Sequence, residues 1–191
     1  MEIVFVRHGE GEHTLSIPHS YHVADPGLTE LGMKQAGKLR EELPLSENDA
    51  VIVSPTRRTL QTAQIWCEGS NAIRFVHPTI GPRQNPLRYD FTTLRCDETM
   101  ELRRIAELYS EFLTPADVPD YIWIQGINTV PVLLFEKFAG QFLAWIRQLG
   151  KHKVYIVTHD GTIASYLQYL NGSGQSRHPV PGEAGWIPLS V

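Results

Sequence analysis

The stretch VFVRHGEGEH, Val4 to His13, closes an apolar run with two basic side chains and a glycine. Ile3 to Val6 is β-branched and aromatic with no polar alternation, which predicts a strand of a parallel sheet covered on both faces. Arg7 and His8 then stand at its carboxyl end. The same arrangement recurs downstream. Ala50 to Val53 is a second apolar strand, and beyond Ser54-Pro55 a helix opens with Arg57 and Arg58 and an inner face of Leu60, Ala63 and Cys67. Val154 to Val157 is another buried strand, with His159 just past its end.

Helical segments separate these strands. Thr29 is placed to cap a helix carrying Leu28, Gly32, Ala36, Leu39 and Leu43 at spacings of three or four, stopped by Pro44. Ile73 to Val76 reads as a third strand, and a helix is expected between Asp97 and Phe112. Leu134, Phe138, Phe142, Trp145 and Leu149 share one stripe, with Pro131 in the first turn and Gly150 at the end. A further helix is expected from about Thr162 to Leu170, then a loop over 171–185 and an edge strand from Trp186 to Val191. Residues 9–27, with Gly, Ser, Pro and His, read as a long loop.

Alternating strands and helices predict an α/β fold: a three-layer sandwich with a mostly parallel central sheet and helices on both faces. The 191 residues, 42% apolar and 20% charged, are read as a single domain, with a lid or specificity insertion at about 78–130. A net charge of -4 gives no overall attraction to nucleic acid or to an anionic membrane, and no apolar run approaches the roughly 20 residues of a spanning helix. With no leader segment evident, Cys67 and Cys96 are expected to be reduced thiols and the compartment cytoplasmic.

In open α/β sheets ligands bind beyond the carboxyl ends of the strands, so Arg7, His8, Arg58 and His159 are expected to converge. A helix amino terminus adds unpaired N–H groups and positive dipole beside Arg58. The guest this predicts is a phosphoryl group. A neutral imidazole attacks phosphorus near pH 7 without a metal, its second nitrogen held by a carbonyl of the turn that Gly9 permits. Two guanidiniums grip phosphate oxygens in fixed geometry, and a second imidazole stabilises charge on the equatorial oxygens. The leaving alcohol needs a proton from a carboxyl. Asp90 is the first carboxylate after the third strand, and Asp160, beside His159, is its rival.

At these residues the chain resembles the histidine phosphatase superfamily, and within it the metal-independent, phosphoglycerate-mutase-like phosphatase branch. The matching motifs are VRHGEGEH (6–13), LTELGMKQA (28–36), VSPTRRTLQTA (53–63) and VTHDGTI (157–163), in the family's order along nearly the whole chain. The resemblance implies His8 as the phosphorylated residue, Arg7 and Arg58 as phosphate ligands, and His159 as the second histidine. Arg58, not Arg57, fits the family's Ser-Pro, two residues, Arg. The acid in this branch is usually Glu; aligning on Cys96-Asp97 puts Asp90 at that position, one methylene shorter. A distant acid-phosphatase branch uses the Asp of a His-Asp pair, which keeps Asp160 open. Thr14 stands where relatives often place Asn.

His13, Thr14, Asp160 and Gly161 complete the expected substrate contacts, and Tyr121, Trp123 and His178 are candidates for the leaving group. His19 and His22 lack the further ligands of a metal set, so no metal and no cofactor is expected. Arg57, Arg103 and Arg104 read as surface charges, and Asp97 and Glu98 as residues opening a helix. Gly172, Ser173 and Gly174 are too loose a pattern for a phosphate loop. The expected activity is hydrolysis of small phosphomonoesters through a phosphohistidine, by a monomer or homodimer. A mutase-type phosphotransferase and a phosphate-binding regulatory module are the alternatives.

Overall fold

Along β1 (Glu2–Arg7), alternate side chains enter two different cores: Val4 and Val6 one, Ile3 and Phe5 the other. The alternation of the pleat makes the apolar run of VFV buried on both faces. The computed structural model describes residues 1–172 and 180–190. Its other strands are β2 (Asp49–Val53), β3 (Ile73–Val76), β4 (Lys153–Thr158) and β5 (Trp186–Ser190). They form one sheet in the order β3-β2-β4-β1-β5, parallel except for β5, which runs antiparallel to β1 at the edge.

Among the described residues six α-helices cover it: α1 (Glu30–Glu42), α2 (Arg57–Cys67), α3 (Leu102–Leu108), α4 (Asp120–Gln125), α5 (Val132–Gln148) and α6 (Asp160–Asn171). Leu39 of α1, Leu60 and Trp66 of α2 and Ile105 of α3 pack on the face reached by Val51, Val53 and Tyr155. Phe138 and Phe142 of α5 and Tyr166 of α6 pack on the face reached by Ala50, Ile52 and Ile156. This is the three-layer α/β arrangement expected from the alternation of elements. Thr29 caps α1 as its position predicts, its Oγ1 accepting from the Gly32 amide at 3.0 Å.

Two segments differ from expectation. The helix anticipated from Asp97 is confined to Leu102–Leu108, and Asp97 ends a 3-10 turn over Arg95–Asp97. Tyr109 closes α3 with the non-helical angles φ -138° and ψ 50°, and Thr114-Pro115 follows within a few residues, so the helix has little room to lengthen. In α6 the helix begins earlier than expected, at Asp160, with His159 in extended conformation as its N-terminal flank. Cys67 and Cys96 are buried and unpaired. Among the described residues no helix is long and apolar enough to cross a membrane. The same residues contain no group of three or more His, Cys, Asp or Glu positioned to hold a metal ion.

Candidate active site

Parallel pairing puts the carboxyl ends of β1, β2 and β4 on one edge, in register at Val6, Val53 and Val157. The backbone ladder continues one step beyond the strands: His8 N donates to Thr158 O at 3.1 Å, and Ser54 N to Val157 O at 3.0 Å. His8, Ser54 and His159 are thereby brought to neighbouring positions. The His8 and His159 rings lie 5.1 Å apart, centre to centre.

Arg58, in the first turn of α2, reaches both rings. It is 1% exposed, yet every one of its nitrogens has a partner. Nε donates to His8 Nε2 at 3.4 Å, Nη1 to the Cys96 carbonyl at 2.6 Å, and Nη2 to both Asp97 Oδ1 and His159 Nδ1 at 3.1 Å. A buried cation is tolerable only with such pairing. These donors fix the imidazole tautomers. His8 donates from Nδ1 to Gly9 O at 2.7 Å, as the sequence predicts, which leaves the Nε2 lone pair directed at the cage. His159 accepts on Nδ1, so its Nε2–H donates to Ser54 Oγ at 2.8 Å.

Burial, and next the charge of Arg58, holds both imidazoles well below their ordinary pKa, so both are neutral bases. His13, whose ring lies 5.5 Å from that of His8, is pushed down to about 3 by burial and then by Arg58 and Arg7. The loop carrying His8 is pinned by glycine. A Cβ on Gly32 would stand 2.1 Å from the Glu10 carbonyl oxygen, so α1 docks backbone to backbone on residues 9–10.

Beside this cage, reached through its neighbours His13 and Asp97, lies a cavity of about 610 Å³ whose wall includes Arg7, His13, Thr14, Asp97, Asp160 and Gly161. Arg7 Nη2 pairs with Asp160 Oδ2 at 3.1 Å, and the Asp160 Oδ1 accepts from the Gly161 amide at 2.7 Å. Thr14 Oγ1 donates to the Gly11 carbonyl at 2.9 Å. The structure thus brings together His8, Arg7, Arg58, His159, His13, Thr14, Asp160 and Gly161.

It does not bring Asp90 to them. Asp90 is absent from the cavity wall, its side chain is 59% exposed, and its nearest cation is Arg88 at 4.0 Å. Its Oδ1 accepts from Thr92 N at 3.3 Å, closing a turn in which Phe91 takes a φ of 50°. That turn directs the segment outward, and the Thr92 amide holds the carboxyl below its usual range. Spacing from Cys96-Asp97 located the segment but not the side the turn faces. Asp97, read from sequence as a helix opener, instead lies in the cavity wall against Arg58. The signal that finds it is three-dimensional: a carboxylate within reach of the buried guanidinium. Trp123 is 7% exposed and lines a second cavity, of about 740 Å³, which also has Asp97 in its wall. Tyr121 lies apart from both, and His178 falls outside the described residues.

Residues 3–80 match the family model described as the histidine phosphatase superfamily (branch 1). A curated relative, phosphoglycerate mutase-like protein 1 of Arabidopsis thaliana, is 27% identical over an alignment covering 93% of this chain and 73% of that one. Among solved structures, a putative alpha-ribazole-5'-P phosphatase from Escherichia coli superposes with a TM-score of 0.64 at 17% identity, covering 100% of this chain and 91% of that one. The ecdysone phosphate phosphatase of the silkworm, Bombyx mori, solved with tungstate, gives 0.65 at 15% identity, covering 100% and 89%. At these identities the two structures speak for the fold.

Proposed function

We propose, from the premise that this chain belongs to the histidine phosphatase superfamily, that it hydrolyses phosphomonoesters through a phosphohistidine on His8. The observation that carries this reading is the His8 tautomer. The Gly9 carbonyl takes the Nδ1 proton, and Nε2 faces Arg58 with its lone pair free of a proton at neutral pH. An imidazole so held is a nucleophile without further activation.

Attack by Nε2 on phosphorus breaks the bond to the ester oxygen, and a carboxyl of the cavity wall supplies the proton that the departing alcohol takes up. Arg7 and Arg58 bind the equatorial oxygens, and His159 holds Arg58 in place through Nδ1. In the second half, water gives its proton back to that carboxylate, its oxygen attacks phosphorus, and the electron pair of the P–N bond returns to His8. No step calls on a metal ion, and the leaving group is a small alcohol or phenol.

Replacing His8 by Ala tests the reading. Release of phosphate from para-nitrophenyl phosphate falls to background with the melting temperature kept, and the acid-labile phosphoprotein seen on quenching the wild type disappears. Undiminished turnover refutes it. A mutase shares the first step; incubation with 3-phosphoglycerate and a bisphosphoglycerate primer separates transfer to a second hydroxyl from transfer to water.

A further inference from the structure

An alcohol displaced by His8 departs on the side of phosphorus away from Nε2, and an acid has to stand there. Three aspartates come into question. Asp90 is outside the cavity. Asp160 is inside it, but both its oxygens are already engaged, Oδ2 by Arg7 and Oδ1 by the Gly161 amide in the first turn of α6. Its side chain is also 60% exposed.

Asp97 differs in each respect. Its side chain is 24% exposed and makes one charged contact, through Oδ1 to Arg58 Nη2. Its second oxygen, Oδ2, has no hydrogen-bond partner among the described residues. One guanidinium therefore separates the nucleophile from this carboxyl, since Nε of the same Arg58 touches His8. Asp97 is also in the wall of both cavities, the one lined by Arg7, His13 and Asp160 and the larger one bounded by Leu102, Trp123, Ile127 and Asn128. Asn128 is 4% exposed, and its Nδ2 has no acceptor among the described residues, so a hydrogen-bond donor waits beside that second space.

We infer that Asp97 is the proton donor to the leaving alcohol, which departs into the cavity beyond it; this rests on the phosphohistidine reading above. As the bond from phosphorus to the ester oxygen breaks, that oxygen keeps the electron pair and takes the proton of Asp97, leaving a carboxylate. The carboxylate then accepts a proton from the attacking water. Burial already pushes the Asp97 carboxyl upward against the opposing pull of Arg58. A phosphoryl dianion on Arg58 engages the charge that holds Asp97 ionised and adds negative charge nearby, so substrate binding itself favours the protonated acid.

The test is kcat/KM for a series of phosphate esters, from 2,4-dinitrophenyl through phenyl to an alkyl phosphate, in the wild type, Asp97→Asn and Asp160→Asn. The amide of Asp97→Asn keeps an oxygen for Arg58 but has no proton to give. It is expected to leave the dinitrophenyl ester within a few-fold of wild type and to slow the alkyl ester by about 100-fold or more, the scale of general acid catalysis. Asp160→Asn is expected to shift all esters alike. A uniform loss across the series in Asp97→Asn, as from a displaced Arg58, overturns the assignment, as does a selective loss in Asp160→Asn. Wild type releasing phosphate from none of the esters overturns the phosphatase reading itself.

Discussion

Ser54 and His159, separated by 105 positions in the chain, meet with Oγ 2.8 Å from Nε2. Both are buried, and because Arg58 can only donate to Nδ1, the proton of His159 sits on Nε2 and is given to Ser54. With Nε2–H given to Ser54, Nδ1 is left to accept from Arg58. Ser54→Ala removes the acceptor and leaves a buried N–H unsatisfied, at a cost of about 1–3 kcal/mol. The expected outcome is a lower melting temperature together with a fall in kcat, because Arg58 loses its support. Ser54→Thr, which keeps the hydroxyl, is expected to restore turnover; a merely space-filling role would be met equally well by Ala.

Arg58 makes contacts that no other cation can reproduce. Its planar fork reaches His8, Cys96 O, Asp97 and His159 at once, whereas a lysine ammonium is a single point on a flexible stem. Arg58→Lys keeps the charge and loses the geometry. Inhibition by inorganic phosphate or tungstate is expected to weaken, and kcat to fall by about 100-fold, the scale of removing one fixed donor to a transition-state oxyanion. Unchanged inhibition constants would show that Arg58 does not grip the phosphoryl group.

Gly161 allows α6 to start where it does. A Cβ there would meet the Arg83 carbonyl oxygen at 2.0 Å and its carbon at 3.2 Å, all backbone and unable to swing aside. Gly161→Ala forces the first turn of α6 away from residues 83–85 and carries His159 with it. A loss of about 1–3 kcal/mol is expected, with activity falling further than stability. Gly150 gives the contrast. Its φ is +64° with open space around it, and it precedes β4 at the opposite edge of the sheet, so Gly150→Ala is expected to cost about 1 kcal/mol through strain alone and to leave turnover intact. Melting curves and phosphate-release rates on both variants check this.

The sheet and the cage were legible because their information is local. Val4, Val53 and Val157 sit in β-branched runs, and His8, Ser54 and His159 follow within two residues of a strand end, so the parallel order that aligns the strands also aligns the chemistry. The acid was not legible, for a physical reason. Between β3 and α3 the chain forms only two short 3-10 turns, and it reaches Arg58 through the Cys96 carbonyl and Asp97. Whether Asp90 or Asp97 faces inward depends on that non-local contact and on the turn at Phe91, neither of which has a periodicity to read. The early start of α6 was missed because Asp160 and Gly161 resemble a loop until the Asp160 side chain is seen accepting from the Gly161 amide.

Acid should destabilise the fold, and His77 isolates the effect outside the cage. Its ring lies between Phe142 and Trp145 at 4.9 and 5.0 Å, and Nδ1 accepts from Thr79 N at 3.3 Å. Burial pushes it down to about 3 from 6.5. In the interval between those values the unfolded chain binds a proton that the folded one refuses, so stability rises with pH there and is fully present above 6.5. Taking the pH from 7.5 to 5 is expected to remove about 2 kcal/mol through this one group. His8, His13 and His159 are displaced in the same direction and add to the slope. His77→Gln offers Thr79 an acceptor that does not titrate. Denaturant unfolding at the two pH values should show a smaller difference for His77→Gln than for the wild type by about that amount, and an equal difference would mean that His77 takes up its proton in the folded state.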